Sequence, residues 1–309
     1  MGISATPTIA VAICTYNRNV ELRVLLDALL VSVAHLAGRA IVGVVVVDDT
    51  AEGNARHVVE TFASRFERGI TYRISGQQNI SLARNMAIET ASEIGDWIAM
   101  IDDDCEPTPE WLGALLDTQQ RTGADAVTGP MVRRVPPGAP KWLTEEPFLE
   151  LGLSQAEEGA VLPIASTFNS MISSRWLKAH PAIRFQPELG VIGGEDMVFY
   201  RAAHAAGLQI RYSQKASVFE NEPKSRATLA YQLRAYYWHG NSSYVASIRS
   251  GANPLRFFLH GVNSLIQALV RPIVRVCRGQ RPQFRFCLAS MLHAIGKMMG
   301  PIGIRTEHR

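Results

Sequence analysis

The sequence predicts an α/β protein with a mainly parallel sheet flanked by helices and an amphipathic helical region at its C-terminal end. In the first half, short β-branched runs alternate with segments of helical periodicity. Residues 8–15 and 40–48 are apolar runs typical of strands buried on both faces, and residues 20–36 between them space their leucines as a helix does. This alternation predicts βαβ units, and therefore parallel strands joined by right-handed crossovers.

Further strand and helix patterns continue the alternation along the chain. The predicted strands are 71–74, 97–101 and 126–128, and the predicted helices are 54–66, 81–91, 109–122 and 197–206. In a parallel sheet, ligands bind beyond the carboxyl ends of the strands, where loops and helix starts gather. The residues that follow each predicted strand are therefore the first candidates for a site.

Composition indicates an ordinary globular protein. Of 309 residues, 47% are hydrophobic and 19% charged, which is enough apolar material for a large core. The four cysteines form no CxxC pair, so we expect reduced thiols rather than a zinc site or a disulfide framework. The first residues show no basic segment followed by an apolar core, so we expect no signal peptide and action in the cytoplasm.

Charge is distributed unevenly along the chain and suggests a domain boundary. Up to Pro223 there are 18 Lys and Arg against 27 Asp and Glu, whereas from Lys224 onward there are 13 against 1. We expect a catalytic domain over residues 1–223 and a basic amphipathic helical region over residues 224–309. A basic tail indicates either nucleic acid or an anionic membrane surface as a partner. Nucleic acid is disfavoured, because no reading motif is present and the acidic first part would repel phosphates.

The basic tail contains two amphipathic segments, 257–270 and 284–299. In both, polar residues recur every three or four positions while apolar residues fill the opposite side. Neither reaches the roughly 18 uncharged apolar residues expected of a spanning helix. Arginine-flanked amphipathic helices suit an anionic membrane interface, so we expect peripheral membrane contact. The alternative is that these helices pack on the catalytic core or form a dimer.

Acidic and polar side chains follow three of the predicted strands. Tyr16 follows the first strand, Asp48 and Asp49 end the second, and residues 102–104 (three aspartates) follow the strand at 97–101. A solvated turn would explain one such cluster, but not its recurrence at one edge. Clustered carboxylates favour a hard cation, Mg²⁺ or Mn²⁺, which in turn favours a nucleoside diphosphate. No GxGxxG or GxxxxGK[ST] follows these strands, which disfavours a dinucleotide dehydrogenase and a P-loop NTPase.

An ordered set of motifs over residues 9–244 resembles the inverting glycosyltransferases of family 2, which have the GT-A fold. The motifs are AICTYNR (12–18), VVVVDDT (44–50), NISLARN (79–85), AMIDDD (99–104), PEWL (109–112) and GGEDMVFY (193–200). Further segments, including TGADAVTGPM (122–131), PKW (140–142) and GGED (193–196), look most like the bacterial exopolysaccharide branch, particularly the succinoglycan-type glucosyltransferases. The resemblance implies a nucleotide-sugar donor and a divalent metal at a DxD-type motif.

The resemblance also implies roles for individual residues at the nucleotide. Tyr16 would stack on uracil while Asp49 accepts its N3 hydrogen, and Asp102 and Asp103 would hold the ribose and help to place the diphosphate. Arg84 would meet phosphate oxygens as a forked donor, although an exposed helical arginine is common.

The expected metal ligands are Asp104 and Glu220. Asp104 would hold the cation that bridges the diphosphate oxygens. Many relatives supply a histidine after the last core strand, whereas this chain reads VFENEP, so Glu220 is the candidate for that position.

The GGED segment is the expected catalytic centre. The resemblance assigns the general base to Asp196, with Glu195 oriented toward the acceptor. The alternative is that both residues merely cap a helix start, where acidic side chains complement the helix dipole. Gly193 and Gly194 would let the backbone pass close to the sugar.

Two local departures from the family pattern refine the expectation. The chain has Ile80-Ser81-Leu82 where many relatives have a glycine, so the loop there is expected to differ. The segment QLRAYYW (232–238) lacks the QxxRW spacing of processive synthases, which favours transfer of one sugar rather than polymerisation.

The function expected from the whole sequence is metal-dependent, inverting transfer of a single hexose. The expected donor is UDP-glucose, and the expected acceptor is a polyprenyl-diphosphate-linked oligosaccharide at the cytoplasmic face of the bacterial inner membrane. Two alternatives remain open. A sugar-nucleotide pyrophosphorylase would require a Gly-rich basic loop where this chain has CTYNR, and a non-catalytic nucleotide-sugar-binding scaffold would not need Glu195-Asp196.

Overall fold

The strands of the computed structural model, which describes residues 6–150 and 156–302, form a large and a small sheet. They are β1 (Thr8–Thr15), β2 (Ile41–Asp48), β3 (Ile70–Ile74), β4 (Trp97–Ile101), β5 (Cys105–Pro107), β6 (Ala126–Thr128), β7 (Met131–Arg134), β8 (Val161–Leu162), β9 (Asn169–Ser173), β10 (Ile210–Tyr212) and β11 (Val218–Asn221). Eight strands form one sheet in the order β3-β2-β1-β4-β9-β6-β10-β8, and the other sheet has the order β5-β11-β7.

Ten α-helices lie between and after these strands in the part of the chain that the structure describes. They are α1 (Asn19–His35), α2 (Arg56–Phe62), α3 (Ile80–Ile94), α4 (Trp111–Thr122), α5 (Trp142–Glu145), α6 (Ser174–Ala179), α7 (Glu195–Ala205), α8 (Leu229–Arg249), α9 (Pro254–Cys277) and α10 (Phe284–Met299). The α/β class and the mainly parallel sheet are confirmed, since β3, β2, β1 and β4 are mutually parallel neighbours.

The sheet separates two apolar layers because successive side chains of a strand point to opposite faces. Ile9, Val11 and Ile13 of β1 belong to a cluster with α1, α2 and α4, while Ala10 and Ala12 belong to a second cluster with α3, α6 and α7. Strands buried on both faces are therefore apolar at every position, as the sequence of residues 8–15 predicts.

Strand β9 was not predicted, and it makes the sheet mixed rather than wholly parallel. It pairs antiparallel with β4 on one side and with β6 on the other. Its sequence, NSMIS, is too polar and short to read as a strand. Asn169 explains the polarity: its side chain accepts from Trp111 Nε1 at 2.8 Å and donates to the carbonyl oxygens of Pro130 and Ala216.

The described residues divide into two compact units. The first comprises residues 6–132, 156–190 and 199–220 and contains the large sheet, and the second comprises residues 133–150, 191–198 and 221–302. The second unit therefore includes two segments that precede residue 224 in sequence. The boundary expected after residue 223 stays a prediction.

In the second unit, α10 packs closely against α8 through glycines. A Cβ on Gly240 of α8 would lie 2.0 Å from the carbonyl oxygen of His293, and one on Gly296 of α10 would lie 2.1 Å from that of Tyr237. The two backbones thus approach more closely than any side chain at these positions permits. The 284–299 segment was expected to face a membrane, but as α10 it packs against its neighbours.

An aromatic cluster and a buried carboxylate fix the start of α10. Phe286 makes edge-to-face contacts with Phe148 and Tyr236, at centroid distances of 5.5 and 5.9 Å. Glu146, which is buried, accepts from the backbone N–H of Phe286 at 2.7 Å. This carboxylate satisfies one of the free N–H groups in the first turn, where Gln283 provides no side-chain cap.

Helix α9 is longer than expected and largely exposed. The predicted segment 257–270 lies within a 24-residue helix that starts after the N-cap Asn253 and contains Pro272. Among the described residues, α9 is the one helix whose length and apolar composition would allow it to cross a membrane. No segment of that length was expected here from the sequence. Only Gly261 and Ala268 are buried along its length.

Candidate functional site

The polar strand ends converge on one edge of the large sheet. Because β2, β1 and β4 are adjacent and parallel, the residues that follow them lie side by side. The Cys14 side chain lies among these groups: burial raises the pKa of its thiol to about 12, the charge of Arg84 opposes this shift, and Asp102, Asp103 and Asp49 add to it. The predicted acidic edge is therefore present in the structure.

Asp48 and Asp49 differ sharply in their surroundings. Asp48 is fully buried and accepts hydrogen bonds from the Thr50 and Ala55 backbone N–H groups and from the hydroxyls of Thr50 and Tyr72. Asp49 accepts from Ser75 Oγ at 2.6 Å and from the Gln77 backbone N–H at 3.1 Å. Asp48 therefore organises the loop, and Asp49 is held in a fixed orientation beside it.

Tyr16 is the most exposed of the predicted nucleotide residues. Its side chain is 44% exposed, immediately after β1, and the next residue, Asn17, has a left-handed φ of 55°. Asn17 Oδ1 accepts from Asn54 Nδ2 at 3.0 Å, which ties the loop after β1 to the loop after β2. An exposed aromatic ring on a fixed loop can provide a stacking surface for a base.

Two arginines neutralise the aspartate triplet. Arg84 Nη2 donates to Asp102 Oδ1 at 3.0 Å, and Arg18 Nη1 donates to Asp103 Oδ1 at 2.9 Å and to Asp104 Oδ2 at 2.8 Å. Asp103 also accepts from Thr15 Oγ1 at 2.9 Å. The three charges that the sequence places together are thus relieved by cations of the same unit.

Burial has opposite effects on the partners of this cluster. It raises the pKa of Asp103 to about 7, and the Arg18 charge acts in the lowering direction. Burial also lowers the pKa of Arg18. The negative charges of Asp103 and Asp104 have a larger effect in the opposite direction, so the pKa of Arg18 lies above its usual value. The guanidinium therefore stays charged, and the carboxylates depend on a nearby cation.

Strand pairing places Glu220 next to the aspartates 102–104. In the pairing of β11 with β5, Glu220 is opposite Cys105, the residue after Asp104. Burial raises the pKa of the Cys105 thiol well above its ordinary value, and the charges of Asp102, Asp104 and Glu220 raise it further. The pairing of β11 with β5 brings the two predicted metal ligands to neighbouring positions.

The carboxylates fit a divalent cation whose coordination is completed by a ligand. Among residues 6–150 and 156–302, no group of three or more His, Cys, Asp or Glu side chains is arranged to hold a metal alone. Asp104 and Glu220 supply hard oxygen donors, which Mg²⁺ and Mn²⁺ prefer, and Mg²⁺ usually takes its other ligands from phosphates and water.

The start of α3 explains how Arg84 is positioned. Asn79 is the N-cap, and its side chain accepts from the backbone N–H groups of Ser81 and Leu82 at 3.1 and 3.2 Å. The segment that departs from the family's glycine pattern is thus the first helical turn. Arg84 follows on this helix, with its guanidinium 5.9 Å from the centre of the Phe185 ring.

The GGED segment belongs to the second unit and forms the start of α7. Gly193 and Gly194 have φ values of 88° and 86°, which favour glycine, and the Ile192 carbonyl accepts from Trp238 Nε1 at 3.3 Å. Glu195 is buried, and Asp196 Oδ1 accepts from the backbone N–H of Met197 at 2.7 Å. Asp196 therefore makes a capping contact, and its catalytic role stays a prediction.

Sequence reasoning gave no role to Arg18, although it lies in the quoted CTYNR motif. A cation three residues beyond a strand end, beside a strand that ends in aspartates, was the available signal. Its bridging of two carboxylates depends on the order of strands in the sheet, which the sequence pattern does not fix.

Comparison with known proteins agrees with this fold. The sequence profile described as "Glycosyl transferase family 2" matches residues 10–180. The succinoglycan biosynthesis protein ExoM of Rhizobium meliloti (strain 1021) is 32% identical over 301 residues, covering 96% of this chain and 94% of that protein.

Two solved structures share the fold at low sequence identity. The mannosyltransferase PcManGT from Pyrobaculum calidifontis, in complex with GDP-Man and Mn²⁺, superposes with a TM-score of 0.63 at 17% identity and covers 96% of this chain and 88% of its own. S. aureus TarS 1-349 in complex with UDP-GlcNAc gives a TM-score of 0.55 at 16% identity, with coverage of 96% and 92%.

The mainly parallel sheet and the likeness to these structures define the GT-A fold class. The profile match and the relative of nearly equal length extend the likeness along the chain. The protein belongs to glycosyl transferase family 2.

Proposed function

We propose that the protein is a metal-dependent, inverting hexosyltransferase of succinoglycan-type exopolysaccharide biosynthesis. It transfers one hexose, glucose from UDP-glucose, to a polyprenyl-diphosphate-linked oligosaccharide at the cytoplasmic face of the bacterial inner membrane. The observation that carries the proposal is the gathering of Asp49, the aspartates 102–104 and two arginines at the ends of three adjacent strands. The assignment to succinoglycan follows the name of the 32% identical relative.

The strand ends offer each part of a nucleoside diphosphate a suitable partner. Tyr16 presents an exposed ring for uracil, and Asp49 presents a carboxylate for its N3 hydrogen. Asp102 and Asp103 accept from the ribose hydroxyls and help to place the diphosphate, and Arg84 turns its forked donors to the phosphate oxygens. The solved structures with UDP-GlcNAc and GDP-Man support a nucleotide-sugar donor.

Asp104 and Glu220 hold the divalent cation in this proposal. Their hard carboxylate oxygens suit Mg²⁺ or Mn²⁺, and the related fold that binds Mn²⁺ supports the choice. When bound, the cation offsets the negative charge that develops on the departing diphosphate.

Asp196 is the proposed general base. The acceptor hydroxyl oxygen bonds to the anomeric carbon while its proton passes to a carboxylate oxygen of Asp196. The bond between that carbon and the diphosphate oxygen breaks, and UDP leaves from the opposite face, so the configuration inverts. Glu195 beside it orients the acceptor.

The decisive experiment measures transfer and UDP binding in the same preparations. Purified protein with Mg²⁺ or Mn²⁺ is incubated with a panel of nucleotide sugars, and UDP release is followed with and without a membrane lipid extract. Lipid-dependent release from UDP-glucose above all other donors is the expected result. Equal release without lipid points to simple hydrolysis, and binding without release in every condition supports the scaffold alternative.

Asp196→Asn separates the base from the helix cap. We expect transfer to fall by about 10² to 10⁴-fold, with UDP affinity unchanged, because the base contacts only the acceptor. Loss of a cap alone would cost about 1 kcal/mol of stability and leave turnover near normal. Asp27→Asn, an exposed surface carboxylate on α1, is the matched control. An Asp196 variant that melts early yet transfers at the parental rate contradicts the catalytic role.

A further inference from the structure

Helix α9 carries an exposed apolar stripe that the fold of its own unit does not cover. Leu255, Leu259, Ile266 and Ile273 are 66%, 55%, 54% and 64% exposed. Their spacings of four and seven residues place them along one side of the helix. Leu269, Val270 and Val276 widen the stripe and are also exposed. A continuous apolar face of this kind indicates an interaction surface rather than scattered exposed residues.

The opposite side of α9 is already packed. Gly261 and Ala268 are buried, and a Cβ on Gly261 would lie 2.8 Å from Met298 Cγ of α10. Small residues thus make the contact with α10, and the large apolar side chains point away from it. The stripe is not needed for packing within the unit.

The charge around α9 selects the occupant of this surface. No Asp or Glu occurs between Lys224 and Thr306, while Arg256, Arg278 and Arg281 are exposed near the ends of the helix. A second copy of the chain would bring the same positive charge to the contact. An anionic bilayer offers both a hydrocarbon layer and the opposite charge.

We propose that the apolar stripe of α9 inserts into the interface of an anionic bilayer while the helix lies parallel to the membrane plane. The inference rests on the proposed function, because it gives that function a place at the lipid-linked acceptor, and it assigns the contact to α9 and not to α10.

The packing contacts of α9 favour a helix that lies parallel to the membrane plane. The helix is about 36 Å long and reaches across a hydrocarbon core of about 30 Å. However, α10 packs along both α9 and α8, and its first turn is bonded to Glu146. A crossing helix would take these partners, and the Arg271 guanidinium 4.7 Å from the Phe286 ring, into the hydrocarbon. An interfacial helix keeps all of these contacts.

Vesicle binding of the full chain with matched variants tests the proposal. Ile266→Glu places a charge in the stripe, and Val31→Glu on α1 places the same charge at a side chain that is also 54% exposed. We expect parental protein and Val31→Glu to sediment with vesicles containing phosphatidylglycerol, and Ile266→Glu to lose at least about tenfold in partitioning. The double variant Arg256→Gln, Arg278→Gln is expected to weaken binding mainly at low salt.

Several outcomes overturn the assignment. Equal losses for Ile266→Glu and Val31→Glu would exclude α9, and a stable dimer abolished by Ile266→Glu would identify a second copy as the occupant. Resistance of the membrane-bound protein to alkaline extraction would show that α9 crosses the bilayer. UDP binding is measured in parallel, so failure of vesicle binding with intact UDP binding concerns only α9.

A second and independent inference concerns Arg18. Its Nη1 atom lies 2.9 Å from Asp103 Oδ1 and 2.8 Å from Asp104 Oδ2, so one cationic nitrogen bridges two carboxylates. The Arg18 side chain is 38% exposed on the loop before α1, whereas those of Asp103 and Asp104 are 6% and 17% exposed. The guanidinium is therefore the more exposed partner and has solvent into which it can move.

We infer that Arg18 is a resident counter-ion that competes with the divalent cation for Asp104. This inference rests on the proposed metal-dependent function. Without nucleotide, Arg18 neutralises the aspartates and weakens metal binding. When a diphosphate arrives it offers the guanidinium an alternative anion, so metal and nucleotide bind with strong mutual coupling.

Titration of Mn²⁺ by electron paramagnetic resonance, with and without UDP, tests this competition without any activity measurement. Arg18→Met removes the charge, and Arg39→Met, which breaks an exposed ion pair with Asp117, is the control. We expect Arg18→Met to bind Mn²⁺ about tenfold more tightly without UDP and to show a smaller UDP-dependent gain, because the competing cation is gone. Arg39→Met is expected to match the parental protein.

Arg18→Lys extends the test if the methionine variant fails to fold. A lysine ammonium retains the competing charge, so its Mn²⁺ affinity without UDP is expected to stay close to the parental value. Unchanged or weaker Mn²⁺ binding by Arg18→Met, or tighter binding by Arg18→Lys, overturns the inference. Parental protein that binds Mn²⁺ only weakly even with UDP contradicts the metal in the proposed function as well.

Discussion

Helices α9 and α10 have similar amphipathic patterns, but α10 is packed against neighbouring helices and α9 is exposed. Both are apolar, arginine-flanked segments with polar residues at helical spacing, and the sequence predicts the same membrane contact for each. In the structure, α10 packs against α8 and α9, with Cys287, Ala289, Ala294 and Gly296 buried, while α9 buries only Gly261 and Ala268. An amphipathic pattern therefore does not determine whether the apolar face packs against other helices of the protein or stays exposed.

Two features explain why α10 is packed and α9 is not: the glycines at the contact of α10 with α8, and a carboxylate from a distant part of the chain at the start of α10. Helix α10 contacts α8 where glycines on both helices let the backbones meet, and it receives a carboxylate from Glu146 at its first turn. Helix α9 has its own N-cap in Asn253, which accepts from the backbone N–H groups of Leu255 and Arg256. One helix therefore depends on tertiary contacts to start and to pack, and the other starts from local sequence.

The largest expected effect comes from Gly296→Ala in α10. Helix propensity alone predicts a gain of up to about 1 kcal/mol. The close approach to the Tyr237 carbonyl predicts the opposite sign, a loss of about 3 kcal/mol, because the added methyl group displaces a backbone. Chemical denaturation followed by circular dichroism measures the free energy of unfolding.

The control for this prediction is Gly261→Ala in α9. Its added Cβ would meet Met298 Cγ, in a flexible side chain, so we expect a change near zero. If both variants are equally stable, the glycine contact does not distinguish the two helices.

A smaller effect is expected from Phe286→Ala. Phe286 packs edge-to-face on Phe148 and Tyr236 and lies under the Arg271 guanidinium, so its loss is expected to cost about 2 kcal/mol. Phe284→Ala, two residues earlier and 68% exposed, is expected to change stability by less than about 0.5 kcal/mol. Thermal melting of the two variants side by side checks the contrast, and equal losses would contradict the packing of α10.

The smallest effect is expected from Glu146→Gln. The glutamine amide still reaches the Phe286 N–H but loses the negative charge at the helix start, so the expected cost is about 1 kcal/mol. Glu145→Gln, at an exposed carboxylate 3.4 Å from Arg281, is expected to be neutral. A fall in melting temperature for Glu146→Gln that exceeds that of Glu145→Gln would support the charge contribution, and equal melting temperatures would contradict it.

Much of the parallel half of the large sheet could be predicted from sequence, because β1, β2 and β4 are buried on both faces. Strands β1, β4 and β6 begin and end at the predicted residues, and β2 and β3 differ by one residue at their starts. For β1, β2 and β4, continuous apolar runs give this precision, since both faces need apolar side chains, whereas β3 is a partly exposed edge strand. Strand β9 was missed because its stability comes from its neighbours and from the Asn169 hydrogen bonds, which no local pattern reveals.

For the candidate site, sequence reasoning found the carboxylates but not the cation that holds them. Aspartates at strand ends are visible as a pattern, and adjacency of parallel strands brings them together. The bridge from Arg18 to Asp103 and Asp104 joins residues 85 and 86 positions apart, so it depends on the strand order. The distinct part played by Asp48 in holding its loop was equally invisible in the sequence.

The sequence by itself determined the α/β class, the central strands and helices, the acidic strand ends and the basic character of the C-terminal helices. These follow from periodicity and charge, which act over a few residues. The tertiary structure alone decided that β9 runs antiparallel, that Arg18 bridges two aspartates, and that α10 is packed while α9 is exposed. Those outcomes depend on which residues meet across long sequence separations, and a glycine, a buried carboxylate or an arginine has its effect only through the partner that the fold brings to it.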